Sequence, residues 1–241
     1  RRDRGDRERR KGSRFRLLDL FMAKKVPLGV LISGSGTNLQ AIIDAIKGGS
    51  LDASIEVVIS NREDAYGLER ARKHGLSTEI VDHRKFATRE DYDRVLIDIL
   101  RARGVELVIL AGFMRLLSAL FVRSYANRIM NIHPALLPAF PGLHVQKKAV
   151  EYGVRFSGCT VHFVNDQCDE GPIIIQAVVP VYPDDGEESL AARILKEEHR
   201  IYPRAIQLYF EGRLHVVGQK VLVDGLEKDE DRSLILPPLK G

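Results

Sequence analysis

The sequence predicts an α/β fold: a single doubly wound, Rossmann-like sheet, mostly parallel, with antiparallel strands added in the C-terminal half. Three observations carry the prediction. Short, continuous apolar runs alternate with amphipathic stretches of helical period as far as Ile132, the pattern of parallel strands covered by helices on both faces. A glycine-rich turn joins the first apolar run to the first helical one, the kind of junction that offers free N–H groups to an anion. Beyond Pro134 two strand-like runs are separated by a loop alone, and a short connection without a crossover helix joins antiparallel strands.

Leu28–Ile32 is the first strand and ends in Ser33-Gly-Ser-Gly-Thr-Asn38. Leu39–Lys47 follows, with Leu39, Ile42, Ile43 and Ile46 on one stripe, and stops at Gly48-Gly49. Ile55–Ser60 is a strand, Glu69–His74 a short helix stopped by Gly75, and Glu79–Val81 a third strand. Thr88-Arg-Glu-Asp91 resembles a capping box with Asp in place of Glu. It opens a helix to Arg103 whose stripe is Tyr92, Val95, Leu96, Ile99 and Leu100. Leu107–Ala111 and Ile129–Ile132 are the fourth and fifth strands. Ala135–Leu143 is a Pro-rich loop and Val145–Tyr152 a short helix. Thr160–Val164 and Ile173–Val179 form the antiparallel pair. A long helix, Ser189–Tyr209, precedes a hairpin of Leu214–Val217 and Lys220–Leu222 across Gly218-Gln219. With no repeat and no linker, residues 26–224 read as one domain between a basic, disordered extension (1–25) and a C-terminal tail (225–241).

The net charge of +4 is unevenly distributed. Residues 1–25 hold eleven Lys/Arg against four Asp/Glu, leaving 26 against 29 in residues 26–241. The folded part therefore has no basic excess, and general nucleic-acid binding is not expected. The extension alternates in sign and has almost no apolar period before Phe15, so it buries too little to order itself. It could be a nucleic-acid arm, a targeting peptide or an inert extension. Asp19 breaks the apolar stretch that a secretory signal needs, and Asp3, Asp6 and Glu8 oppose a mitochondrial one. The inert reading is preferred, with a natural start at Met22. The longest apolar run, Leu107–Met114, is too short to span a membrane. Two cysteines, Cys159 and Cys168, make no disulfide framework, and a cytoplasmic, reducing location is the simpler expectation.

Three segments could carry chemistry. Ser33–Asn38 could hold a dinucleotide or a single phosphate. The dinucleotide fingerprint wants a third glycine where Leu39 stands and an acid closing the second strand, which ends Ser60-Asn61. A monophosphate is the better ligand; a tight turn without ligand is the plain alternative. Asn131-Ile-His-Pro134 ends the fifth strand, where α/β sheets place ligands. Asn131 and His133 are two apart, so an amide and an imidazole leave one face together. His74, His83 and His215 read as surface or packing residues. Asn165-Asp-Gln-Cys-Asp169-Glu-Gly-Pro172 is either a solvated turn or a carboxylate aimed at His133, favouring its imidazolium. Metal is not expected, because neither paired-His nor C-x-x-C spacing occurs. No G-x-S-x-G elbow, P-loop lysine or activated cysteine is present. What remains is a donor, an acid–base group and a carboxylate beside an anion loop, a set suited to group transfer through an oxyanion-bearing intermediate.

Six motifs, in order, resemble those of the phosphoribosylglycinamide formyltransferase family, the folate-dependent transformylases of purine synthesis. They are Leu31-Ile-Ser-Gly-Ser-Gly-Thr-Asn-Leu39, Leu110-Ala-Gly-Phe-Met-Arg-Leu-Leu117, Asn131-Ile-His-Pro-Ala-Leu-Leu-Pro138, Phe140-Pro-Gly-Leu-His144, Gly158-Cys-Thr-Val-His-Phe163 and Asp169-Glu-Gly-Pro172. The resemblance runs from about Leu28 to Val223. It implies attack by the amine of glycinamide ribonucleotide on the formyl carbon of 10-formyltetrahydrofolate, a co-substrate, with no metal. By matching position, Asn131, His133 and Asp169 are catalytic. Gly36, Thr37 and Asn38 match the phosphate loop, and Glu198 the residue gripping glycinamide ribonucleotide. Arg89, Met114, Arg115, Leu116, Leu117, Asn131, Asn165, Asp166, Gln167, Cys168 and Asp169 match the folate pocket. Cys168 departs from the aliphatic residue usual in the family. As a buried small hydrophobe it is expected to affect loop packing more than chemistry.

The rivals are methionyl-tRNA formyltransferase, which adds a C-terminal RNA-binding domain, and formyltetrahydrofolate deformylase, which carries an N-terminal regulatory domain. About 18 residues follow Val223, and residues 1–26 cannot form such a domain. A non-catalytic nucleotide- or RNA-binding module using the basic tail is a third reading. The expected partners are small molecules, without nucleic acid or membrane, bound by a monomer or homodimer.

Overall fold

The computed structural model describes residues 25–226, together with Leu234 and Leu236. The expected N-terminal extension, Lys25 apart, and most of the C-terminal tail lie outside the described residues. The elements are β1 (Val26–Ile32), α1 (Thr37–Lys47), β2 (Ala53–Ser60), α2 (Tyr66–Lys73), β3 (Thr78–Ile80), α3 (Arg89–Ala102), β4 (Leu107–Leu110), α4 (Ala119–Ser124) and β5 (Ile129–His133). They continue with α5 (Val145–Tyr152), β6 (Phe156–Phe163), β7 (Ile173–Pro180), α6 (Glu187–Phe210), β8 (Leu214–Val217) and β9 (Lys220–Val223). One sheet runs in the order β3-β2-β1-β4-β5-β6-β7-β9-β8. β1 to β5 are parallel, β6 is antiparallel to both β5 and β7, and β9 pairs in parallel with β7 through Ile173 and Lys220.

The predicted architecture stands. The sheet reverses its strand order between β1 and β4, which makes their carboxyl ends the crevice where such folds place ligands. Three local differences have physical reasons. The helix Ala119–Ser124 was not anticipated, because six residues are too few to show a period; Ser118 marks its start by accepting from the Phe121 N–H. A short 3₁₀ turn, His83–Lys85, is likewise set by its cap, Asp82. β6 starts at Phe156, four residues before the predicted strand, and Ser157-Gly158 disguises it. Gly158 is required there: a Cβ would overlap the Ala177 carbonyl on β7.

Burial follows the strand period. Leu28, Val30 and Ile32 join Leu39, Ile42, Leu68 and Ile206 beneath α1, α2 and α6. Leu31, Val57 and Ile59 point the other way, into Tyr92, Leu96, Leu100 and Phe121 beneath α3 and α4. Truncating one of these fully buried leucines to Ala costs about 2–5 kcal/mol. Tyr202 of α6 crosses the first layer completely buried, its hydroxyl 2.9 Å from the carbonyls of both Leu110 and Met130. That shared bond ties α6 to the ends of β4 and β5. Among the described residues, no helix is long and apolar enough to cross a membrane.

Candidate active site

The turn after β1 is held from both sides. Gly36 adopts φ +70°, and a Cβ there would lie 2.5 Å from the Gly67 Cα. Gly67 returns the contact by donating its N–H to the Gly34 carbonyl at 2.9 Å. Arg70 Nε donates to the Ser35 carbonyl, also at 2.9 Å. Helix α1 then begins at Thr37 with no side-chain cap, so its first N–H groups stay available to an anion. Asn38 is buried and donates from Nδ2 to Glu198 Oε2 at 2.7 Å, across 160 residues of sequence. Burial raises the Glu198 pKa above the usual carboxylate range, and the Asn38 bond opposes that shift only in part.

The turn Gly36–Asn38 and Glu198, which the family resemblance assigned to one substrate, thus meet through Asn38. Beside it opens a cavity of about 510 Å³ lined by Thr37, Gln40, Asp44, Arg70 and His199. Arg70 and His199 were missed. Arg70 reaches the loop from α2, and nothing in a charged stretch of helix marks one guanidinium from its neighbours. His199 leaves Nε2 buried without a partner, and burial, then Arg70, lowers its pKa.

The second cluster sits at the end of β5. The register places Asn131 opposite His162 and His133 opposite Thr160. His162 Nδ1 lies 2.9 Å from the Phe163 carbonyl, and its Nε2 lies 3.1 Å from Asn131 Nδ2. A carbonyl only accepts, so Nδ1 carries the proton and Nε2 receives the Asn131 amide. Burial lowers the His162 pKa, which keeps the ring in that neutral form. His133 is buried, with Nε2 2.9 Å from the Phe140 carbonyl and Nδ1 3.5 Å from Asp169 Oδ2. The other Asp169 oxygen is 3.9 Å from His162 Nε2, and the Gly142 N–H donates to Oδ2 at 3.0 Å. One carboxylate therefore stands between two imidazoles. The backbone bends for it: Asp169 has φ +57° and Phe140 φ +52°, the left-handed region that persists where surroundings over-determine it.

Asn131, His133 and Asp169 are brought together as the sequence indicated. His162 was missed: it lies in a quoted motif, but only the strand register shows that it faces Asn131.

The remaining predicted residues lie on the loops after β4 and β6 and at the start of α3. Met114, Arg115 and Leu116 are exposed after β4, while Leu117 packs on the second apolar layer. Arg89 opens α3; burial raises the pKa of nearby Asp93, and the Ser118 hydrogen bonds and then the Arg89 charge oppose that only in part. Asn165 turns the loop after β6 by accepting from the Gln167 N–H at 3.1 Å. Asp166, Gln167 and Cys168 are exposed. Cys168 is therefore not the buried hydrophobe that was expected: the loop projects past the strand ends, and its thiol lies 3.6 Å from Asp169 Oδ2. Partial desolvation, then Asp169, raises its pKa, so it is no reactive thiolate. Cys159 is fully buried and pushed up to about 12 by desolvation. Among the described residues, no group of three or more His, Cys, Asp or Glu could hold a metal ion.

Comparison with known proteins agrees with this geometry. The formyl transferase family model matches residues 27–206. The chain is 48% identical over 196 residues to phosphoribosylglycinamide formyltransferase of Escherichia coli, covering 81% of this chain and 92% of that protein. It is 49% identical over 195 residues to the trifunctional purine biosynthetic protein adenosine-3 of Drosophila melanogaster, covering 80% of this chain but only 14% of that much longer relative. The structure of glycinamide ribonucleotide transformylase 1 from Symbiobacterium toebii superposes with a TM-score of 0.81 at 54% identity, over 83% of this chain and 94% of that one. With a family model over most of its length and a near full-length relative at almost half identity, the chain belongs to the formyl transferase family, in its phosphoribosylglycinamide formyltransferase branch.

Proposed function

We propose that this chain transfers the formyl group of 10-formyltetrahydrofolate to the amine of glycinamide ribonucleotide. The observation that carries the reading is the half-buried Asp169 carboxylate between His133 and His162, with Asn131 beside His162 on the neighbouring strand. The uncapped start of α1 takes the substrate phosphate, with Arg70 and His199 beside it, and Glu198 holds the rest of the nucleotide. Met114–Leu117, Arg89 and Asn165–Asp169 hold the folate. The substrate nitrogen attacks the formyl carbon, and the carbonyl oxygen becomes an oxyanion. The Asn131 amide and the His133 imidazolium stabilise that charge, worth roughly 10²–10³-fold for one such donor. Asp169 Oδ2, 3.5 Å from His133 Nδ1, orients the ring from its other side. For His133 to donate from Nε2, the substrate oxygen replaces the Phe140 carbonyl. The proton lost by the attacking nitrogen is delivered to N10 of the folate, the bond from the formyl carbon to N10 breaks, and formylated nucleotide and tetrahydrofolate leave.

A monomer or homodimer, a cytoplasmic location and a single domain over 26–224 complete the reading. A formyl-transfer assay with the two substrates, without ATP and in the presence of EDTA, tests it. The expected result is full turnover. Failure to turn over, or turnover restored only by added Zn²⁺ or Mg²⁺, refutes it.

A further inference from the structure

The loops assigned to the two substrates meet at one residue. Ser33 directly follows β1, is buried, and is the first residue of the phosphate turn. Its hydroxyl donates to Asn61 Oδ1 at 2.6 Å and accepts the Met114 N–H at 2.9 Å. Its own N–H donates to the Gly112 carbonyl at 3.1 Å. Asn61 directly follows β2 and is buried as well. Gly112 and Met114 belong to the loop after β4. β2, β1 and β4 are neighbours in the sheet, so Ser33, in the middle, holds the exits of both flanking strands.

The far end of that loop is held separately. The Ser118 N–H donates to Asp93 Oδ2 at 2.6 Å, and both residues are buried. Met114, Arg115 and Leu116, between the two pins, are exposed.

We propose that Ser33 is a positioning residue for the formyl donor: its hydroxyl fixes the Met114 backbone, and through it the height of the folate loop above the phosphate turn. The inference rests on the assignment of Met114–Leu117 to the folate. It gives the hydroxyl a task the phosphate does not require. Two-substrate chemistry needs reacting atoms about 3–3.5 Å apart, and a displacement of about 1 Å lowers rates by as much as 10²-fold. The backbone bond to Gly112 joins the loops, and the hydroxyl sets where Met114 stands above the turn. Ser33→Ala leaves the Met114 N–H and the buried Asn61 oxygen unpaired, and loosens the loop from Met114 onward, while the backbone bond from residue 33 to Gly112 stays.

The test varies both substrates for Ser33→Ala and, as a check on the site itself, Arg115→Ala. Ser33→Ala is expected to raise KM for 10-formyltetrahydrofolate about tenfold or more, with KM for glycinamide ribonucleotide within about twofold. Hydrogen exchange should quicken at the Met114 amide and stay unchanged at Ser118, which Asp93 still holds. If Ser33→Ala does not fold, Asn61→Ala removes the partner of the hydroxyl and is expected to shift folate KM the same way by a smaller factor. Unchanged folate KM in the serine or asparagine variant, with a raised KM in Arg115→Ala, overturns the role of Ser33 alone. Unchanged folate KM in all variants overturns the folate assignment beneath it. Equal rises for both substrates assign Ser33 to general loop stability and overturn the proposal.

Discussion

The turn Ser33–Asn38 and the loop Asn165–Gly171 both end at the site, and they are built by opposite means. The first is clasped at nearly every residue: Ser33 by Asn61, Gly34 and Gly36 by Gly67, Ser35 by Arg70, Asn38 by Glu198. The second leaves the sheet between antiparallel strands, exposes Asp166, Gln167 and Cys168, and is fastened chiefly at its ends. Gly171 sits against the Phe163 carbonyl, where a Cβ would overlap. Yet this looser loop delivers the carboxylate of Asp169, 3.5 Å from one histidine and 3.9 Å from the other. A phosphate site works best when formed in advance, since ordering it on binding reduces affinity. A carboxylate that acts on an imidazolium only as charge develops can stand off and close when substrate arrives.

Substitutions can break this division of labour. The largest effect belongs to the loop. Asp169→Asn is expected to lower kcat by roughly 10²–10⁴-fold and leave glycinamide ribonucleotide binding nearly intact. Rates with binding measured by calorimetry decide it; lost binding with retained turnover contradicts the division.

Gly36→Ala strikes the turn. A Cβ 2.5 Å from Gly67, at φ +70°, strains the backbone by about 1–3 kcal/mol. The expected result is a KM for glycinamide ribonucleotide raised about tenfold or more, as a loss of ~1.4 kcal/mol in binding requires, with kcat largely kept at saturation. A lost kcat at unchanged KM would reverse the roles of the two loops.

Glu198→Gln separates binding from stability. The folded-state pKa of Glu198 is raised by burial, so the folded chain holds that proton more tightly than the unfolded one. Its contribution is fully present below the ordinary carboxylate pKa and is lost as pH rises through the raised value. Glutamine has no such loss. Melting temperatures should therefore diverge in favour of the variant as pH rises from acid to neutral, while its KM for the nucleotide increases. A constant difference across pH removes the charged-carboxylate account.

The smallest effect is expected at Cys168→Val, which restores the aliphatic character usual at this position in the family. The thiol is exposed, so kcat and both KM values should stay within about twofold, as for most surface replacements. A larger change, read by the same assay, would give the thiol a part in placing Asp169.

What the sequence revealed follows from how local each signal is. Asn131 and His133 were legible because a period of two and a strand end are properties of five consecutive residues. The phosphate turn was legible because glycine can adopt φ +70° cheaply. His162 was not, since its place depends on the register of β5 against β6. The pairing of Asn38 with Glu198 spans 160 residues, so only the family resemblance put them in one site. Cys168 was misread as buried because a cysteine's usual preference says nothing about whether its loop leaves the sheet.

The Tyr202 bond gives α6 a fixed rotational setting. Glu198 and Tyr202 are four residues apart, on one side of the helix. Tyr202 is locked to the carbonyls of Leu110 and Met130, so it works as an index mark against which the Glu198 carboxylate is dialled toward Asn38. One residue inserted between them turns the two by about 100° relative to each other. The helix can keep its seat through Tyr202 or its ligand through Glu198, and not both. Indels between those two positions are thereby closed to functional chains even where helix and sheet survive.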